Sequence, residues 1–287
     1  MMLVRHLIVV LFIAHTSPLS LAQSVEFEPL SSRDLGITFT LDITDGEILA
    51  CGSDAQRFSL ATMSWTTVLP GPLEFGGCST GTQSWAWGGQ RAWAADLGGG
   101  AWSTIPLPEF TGNELVRWIS DLGDEIYLST EIEDGLDGSD GRLYRSERPA
   151  LAWMLVSEGP SGFLPRAVSN IRRLRSGRLV GSLSGAFEGL QLAYSDEGGA
   201  SWFEADATRG YGVIIQYGER FIAAEPWFYE PEFRLMQTTD GATWTQLGDI
   251  NAHDVVAASD GSLFAISFTE LFRSLDGELG IRWLLCG

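Results

Sequence analysis

The sequence contains no lysine. Its 18 basic residues are all arginine, set against 37 acidic ones for a formal charge of −19. That excludes a P-loop lysine, a Schiff-base lysine and a lysine-rich surface for nucleic-acid phosphates. Histidine is almost as scarce, with His6, His15 and His253 alone. The count excludes a HExxH helix, a histidine-rich zinc site and a two-histidine iron triad. Past residue 22, a Ser-His-Asp triad could draw its histidine only from His253. Cysteine is limited to Cys51, Cys78 and Cys286, too few and too scattered for structural zinc. In an oxidising compartment they make one disulfide and one free thiol, with the pairing open. A bridge from the penultimate Cys286 would tie the chain end to an early segment.

Long apolar runs are also missing. The one candidate, Leu7 to Ala14, spans about 12 Å as a helix, short of the roughly 30 Å hydrocarbon layer. With Arg5 and His6 before it and Ser20-Leu21-Ala22 after it, residues 1–22 read as a secretory signal peptide. This implies a secreted or periplasmic protein with no membrane span. No cysteine follows the cleavage site to carry a lipid anchor. Residues 23–287 then form one domain of 265 residues, whose charge of −20 repels nucleic acid and anionic lipid. Helical periodicity is absent too. Past residue 22, no window keeps apolar residues at i, i+3, i+4 and i+7 for three turns without Gly or Pro. A parallel sheet needs helical crossovers, and none is visible.

What the sequence does have is a repeat. Trp65, Trp102, Trp153, Trp202, Trp244 and Trp283 follow one another at intervals of 37, 51, 49, 42 and 39 residues. Each lies in a similar setting, as in SWTTVLP (64–70), SWFEA (201–205) and TWTQLG (243–248). Alternating runs precede each one. In the last unit these are DVVAAS (254–259), Asp260-Gly261, SLFAISF (262–268), ELFRSLDG (270–277) and IRWLL (281–285). Asp-Gly between two alternating runs marks a hairpin, because glycine accepts positive φ without steric cost. Four short antiparallel strands in about 44 residues make a propeller blade. Six such units account for the 265 residues after position 22. The expected fold is therefore all-β, a six-bladed β-propeller of four-stranded blades. Residues 25–30 (VEFEPL) leave a seven-bladed alternative open. A two-sheet sandwich is the competing arrangement.

Two segments carry a family resemblance. Tyr194 to Trp202 (YSDEGGASW) and Thr238 to Trp244 (TTDGATW) resemble the Asp-box, or BNR, repeats of sialidase-like propellers. Ser274, Asp276 and Gly277 followed by Trp283 look like a third copy with an insertion. Ala94 to Gly98 before Trp102 looks like a degraded fourth, and Ser146 to Trp153 keeps only the spacing. That superfamily includes sialidases, some glucan hydrolases, sortilin-type receptors and photosystem assembly factors. The resemblance implies structural roles for Ser195, Asp196, Gly198, Trp202, Thr238, Asp240, Gly241, Trp244, Ser274, Asp276, Gly277 and Trp283. The aspartate is expected to accept backbone N–H groups of its own turn, and the indole to pack between sheets. In the resembled families this turn lies opposite the binding face.

Three features are candidate binding elements. The loop EPWFYEPEF (225–233) offers Trp227, Phe228 and Tyr229 beside Glu225 and Glu230, a surface suited to a sugar ring or a protein. Arg173 and Arg175 fall with Ile171 on one face if the strand alternates. They would then grip a carboxylate or phosphate, or else pair with acids of adjacent blades. The acidic insertion at 129–141 holds Asp134, Asp137 and Asp140. These are weak calcium candidates whose spacing does not match an EF-hand, so no cofactor is expected unless calcium binds there.

The expected function is a non-enzymatic propeller that binds a glycan or protein ligand, as a monomer whose ring closure removes sheet edges. A sialidase-type glycoside hydrolase is the alternative, although the family's Arg-Ile-Pro motif is absent from the first blade and no catalytic residue can be assigned. An assembly-factor-like propeller is a further alternative that rests on fold analogy.

Overall fold

A computed structural model describes residues 40–44, 47–51, 54–59, 64–69, 77–97, 99–132, 140–158, 167–185, 189–206, 213–224, 234–251, 254–257, 263–266, 271–274 and 283–285. The segments 1–22 and 25–30, the loop 225–233 with Glu225, Trp227, Phe228, Tyr229 and Glu230, and Asp134, Asp137, His253, Asp276, Gly277 and Cys286 lie outside the described residues. Asp140, Ser274 and Trp283 are placed in strands by backbone alone.

The described residues form six four-stranded antiparallel sheets, each a meander in chain order. Sheet one contains β1 (Thr40–Thr44), β2 (Glu47–Cys51), β3 (Ala55–Ser59) and β4 (Ser64–Leu69). Sheet two contains β5 (Gly77–Thr80), β6 (Gln83–Gly88), β7 (Arg91–Asp96) and β8 (Ser103–Thr104). Sheet three contains β9 (Glu114–Asp121), β10 (Glu125–Ile132), β11 (Asp140–Glu147) and β12 (Met154–Glu158). Sheet four contains β13 (Val168–Arg173), β14 (Leu179–Gly185), β15 (Gly189–Ser195) and β16 (Phe203–Glu204). Sheet five contains β17 (Val213–Tyr217), β18 (Arg220–Ala224), β19 (Arg234–Thr238) and β20 (Thr245–Asn251). Sheet six contains β21 (Asp254–Ala257), β22 (Leu263–Ile266), β23 (Leu271–Ser274) and β24 (Trp283–Leu285).

Successive sheets touch through their first strands, which makes those strands the innermost ones. The second strands explain why the sheets stack face to face. A strand buried on both sides reads as an apolar run, and its alternate residues serve opposite neighbours. In β18, Phe221 and Ala223 join the apolar cluster shared with sheet four, while Ile222 and Ala224 join the one shared with sheet six. In β10, Ile126 and Leu128 pack toward Trp85 and Trp87 of sheet two, and Tyr127 packs toward Val168 and Leu179 of sheet four. Full burial of each of the larger apolar side chains among these, such as Phe221, Ile222, Ile126 and Leu128, is worth about 1.5–3 kcal/mol. This stacking of meander sheets is a β-propeller.

The hairpin turns divide between two faces. Links from first to second and from third to fourth strands gather on one face, here the turn face. Links from second to third strands, and from one sheet to the next, gather on the opposite or loop face.

Candidate functional site

The turn face is a structural device. In the β15–β16 turn the Ser195 hydroxyl accepts the N–H groups of Glu197 at 3.2 Å and Gly199 at 2.9 Å, and the Trp202 indole donates to the Gly199 carbonyl at 3.1 Å. The β19–β20 turn repeats this. The Thr238 hydroxyl accepts from Asp240 N at 3.2 Å and Gly241 N at 2.8 Å, and Trp244 donates to the Gly241 carbonyl at 3.1 Å. Here Asp240 Oδ1 also accepts the N–H groups of Ala242 and Thr243, both at 2.9 Å. The N–H of Thr243, then that of Ala242, holds the Asp240 carboxyl below the ordinary range against the opposing effect of burial.

Asp196 departs from the expected pattern. Its carboxylate takes both arms of Arg178, at 2.7 and 2.9 Å, instead of its own turn's amides. This two-point hydrogen bond from Arg178 lowers the Asp196 pKa. Arg178 also donates to the Asp240 carbonyl at 2.7 Å and lies 4.6 Å from the Tyr194 ring centroid. One guanidinium thus ties the turn of sheet four to that of sheet five.

Gly241 shows how closely these turns fit. Its φ is +77°, and an added Cβ would lie 2.6 Å from Val180 Cγ2 of sheet four. Gly241→Ala is therefore expected to cost about 2–3 kcal/mol, since left-handed strain and a clash between sheets add. Gly218, with φ of +60° and no neighbour within 4 Å of such a Cβ, should cost only about 1 kcal/mol. Chemical-denaturation midpoints of the two variants check the difference.

Arg173 and Arg175, candidates for gripping an anion, both lie on the turn face. Asn170 has φ of +52°, and the β13–β14 register shifts between Ser169 and Arg172, so the alternation is broken before the arginines begin. Arg173 pairs with Asp124 and Glu125 of sheet three, and Arg175 with Glu219 of sheet five. Leu174 between them is buried and closes the turn through its N–H to the Arg178 carbonyl.

Two buried carboxylates were not singled out by the sequence reading. Asp121, at the turn-face end of β9, has a fully buried side chain. Its Oδ2 accepts Thr82 N and Thr82 Oγ1 at 2.9 Å, Gln83 N at 3.2 Å, Trp85 Nε1 at 3.0 Å and Arg148 Nη2 at 2.8 Å. Four of these five donor groups' residues belong to sheet two or its first turn, so Asp121 joins sheets two and three.

Glu114 occupies the other end of β9, at the loop face, and its side chain is 0% exposed. Oε1 accepts the Thr130 hydroxyl at 2.6 Å and the Tyr144 phenol at 3.1 Å. Oε2 accepts Thr111 N at 3.1 Å and Arg142 Nη1 at 2.8 Å. Arg142 continues outward to the half-exposed Glu158, its Nε lying 2.7 Å from Oε1, while Arg117 pairs with Glu131 on β10. Burial raises the Glu114 pKa, but the Thr130 hydroxyl, the Thr111 N–H, the Arg142 charge and the Tyr144 phenol together bring it below its ordinary value. Burial first, then the Glu114 charge, pushes the Tyr144 phenol up to about 12. This network braces β10 and β11 at the root of the acidic loop 133–139. It is the candidate functional site, a rigid and charged platform on the face where six sheets present their loops.

Cys51 and Cys78 form a disulfide between β2 and β5. Among the described residues, no group of three or more His, Cys, Asp or Glu has a metal-holding arrangement. Nor is any helix among them long and apolar enough to cross a membrane.

No family model matches the chain, and no curated protein does. Solved structures do match. YCF48 from Cyanidioschyzon merolae is similar at 15% identity with a TM-score of 0.52, over 87% of this chain and 84% of that one. The likeness is one of fold, and it agrees with the propeller read from the sheets. A structure of YCF48 bound to D1 peptide matches at 15% identity with a TM-score of 0.47, over 70% and 63% of the two chains. The extracellular domain of a putative one-component system from B. thetaiotaomicron matches at 10% identity and 0.46, over 82% of this chain and 39% of that one.

Proposed function

We propose that this chain is a secreted or periplasmic propeller of the Asp-box kind that binds a glycan or protein ligand on its loop face without chemical turnover. The observation that carries this reading is the contrast between the two faces. On the turn face Arg173 and Arg175 pair with carboxylates of neighbouring sheets, while Arg148 and Arg178 pair with carboxylates of their own sheets and reach the next sheet through Gln83 and the Asp240 carbonyl. On the loop face the buried Glu114 holds Arg142, which reaches outward to the half-exposed Glu158. The paired turns built on Ser195 and Thr238 support the Asp-box assignment, and the Cys51–Cys78 disulfide supports an oxidising compartment.

A hydrolase of the sialidase type needs an ionisable tyrosine beside a glutamate. Tyr127 and Tyr144 donate to Glu125 and Glu114 at 3.2 and 3.1 Å, and burial raises both phenols away from ionisation. The test is a glycan array and a panel of basic and neutral peptides, run beside aryl glycosides that include a sialoside. Saturable binding weakened at least tenfold by Glu158→Gln/Glu131→Gln, with no aryl release, is the expected result. Turnover abolished by replacing one loop-face carboxylate would establish a hydrolase instead.

A further inference from the structure

The contact between sheets one and two is crossed by a different kind of bond from the three contacts that follow it. Sheets two and three, three and four, and four and five are tied at the turn face by Asp121 under Thr82 and Trp85, by Arg173 on Asp124, and by Arg178 on the Asp240 carbonyl. Sheets one and two carry a covalent tie. Cys51 is the last residue of β2 and Cys78 lies near the start of β5, so the disulfide sits at the loop-face end of both sheets. Both half-cystines are buried, at 0% and 2% exposure, in a cluster with Leu49, Ala55 and Ala86. Val68 and Leu69 of sheet one and Trp93 and Trp102 on the sheet-two side pack around this cluster, so the covalent link lies inside the apolar contact between the two sheets. The link closes a separation of 27 residues that includes all of β3 and β4. Cutting it returns that loop's entropy to any state in which sheet one has come away.

We propose that the Cys51–Cys78 disulfide is a redox latch whose reduction releases sheet one from sheet two while sheets two to five stay packed. The reductant is a dithiol. One of its thiolates attacks a latch sulfur, giving a mixed disulfide and expelling the other cysteine as a thiolate. Its second thiolate then attacks the mixed disulfide and frees the remaining cysteine. Two electrons and two protons pass to Cys51 and Cys78, and the reductant leaves as a cyclic disulfide. Because both sulfurs are buried, attack proceeds through local opening of sheet one, which makes the latch responsive to sustained reducing conditions. The inference does not depend on any ligand.

Hydrogen exchange read by mass spectrometry tests it, using the full chain in a Cys286→Ser background so that no third thiol reshuffles the bond. Dithiothreitol under native conditions should speed amide exchange in residues 40–69 by about 100-fold, the scale of one disulfide's contribution. Residues 114–132 and 168–195 should stay protected, and reoxidation should restore the slow rates. The double variant Cys51→Ala/Cys78→Ala should show the fast pattern with or without dithiothreitol. If that variant fails to fold, reduction of the native chain decides alone. Unchanged exchange after verified reduction, uniform loss of protection across all sheets, or resistance to reduction until the whole chain unfolds would each overturn the proposal.

Discussion

Replacing Asp121 by alanine is expected to remove about 3–5 kcal/mol of folding stability, because it strips a partly buried cation and several buried donors of one shared acceptor. For a chain of this size that corresponds to a fall in melting temperature of roughly 10 °C. The carboxylate is fully buried and receives the Arg148 guanidinium at 2.8 Å and the Trp85 indole at 3.0 Å. Arg148 keeps one bond, from Nη1 to Gln83 Oε1 at 3.0 Å, which does not neutralise its charge. The effect therefore comes from stranded partners more than from the lost pair itself. Asp121→Ala/Arg148→Met, which removes the stranded cation as well, should recover part of the loss. Urea unfolding followed by tryptophan fluorescence measures both variants. A cost below about 1 kcal/mol for the single variant would mean that the Trp85 and Trp87 cluster holds sheets two and three without the carboxylate.

The sheets were legible in the sequence because each strand pair is local. Alternation in DVVAAS and SLFAISF yields β21 and β22, and GERFIAA yields β18, apolar on both faces because it packs between two sheets. The tryptophan repeat was legible for the same reason, since Trp202 and Trp244 each bond a glycine three residues earlier. Long-range polar contacts left no such trace. Glu114 meets Thr130 and Tyr144, residues 16 and 30 positions away on two other strands, and nothing in TGNELV announces them. Asp121 left a faint local sign, because its Oδ1 accepts Gly123 N at 3.0 Å in an Asx turn, but its other partners come from about 27 to 39 residues away. The arginines at 172–178 mislead for a related reason. Period-two alternation assumes an unbroken strand, and the left-handed Asn170 together with the turn at Leu174 breaks it at both ends. The disulfide pairing was open by count, and the stacking of sheet one on sheet two closes the choice by bringing β2 against β5.

Glu114 makes the second large prediction, and its pH dependence separates it from a purely steric effect. Glu114→Ala should cost about 3–4 kcal/mol at pH 7, because the Thr111 N–H, Tyr144 and part of Arg142 lose their acceptor in a buried place. Glu114→Gln should cost only about 1–2 kcal/mol, since the hydroxyls of Thr130 and Tyr144 can turn to accept from the new amide. The folded-state pKa of Glu114 lies below its unfolded value near 4.5, so ionisation favours folding. That contribution is fully present above about pH 4.5 and drains away as pH falls through the folded value. Once protonated, the wild-type side chain is neutral like glutamine, and the two proteins should converge. Stability curves from pH 7 down to about 3 are therefore expected to close the gap between wild type and Glu114→Gln from the acid side, as proton linkage requires. Parallel curves over that range would mean that the Arg142 charge is met mainly by Glu158, and that Glu114 supports the loop face by shape rather than by charge.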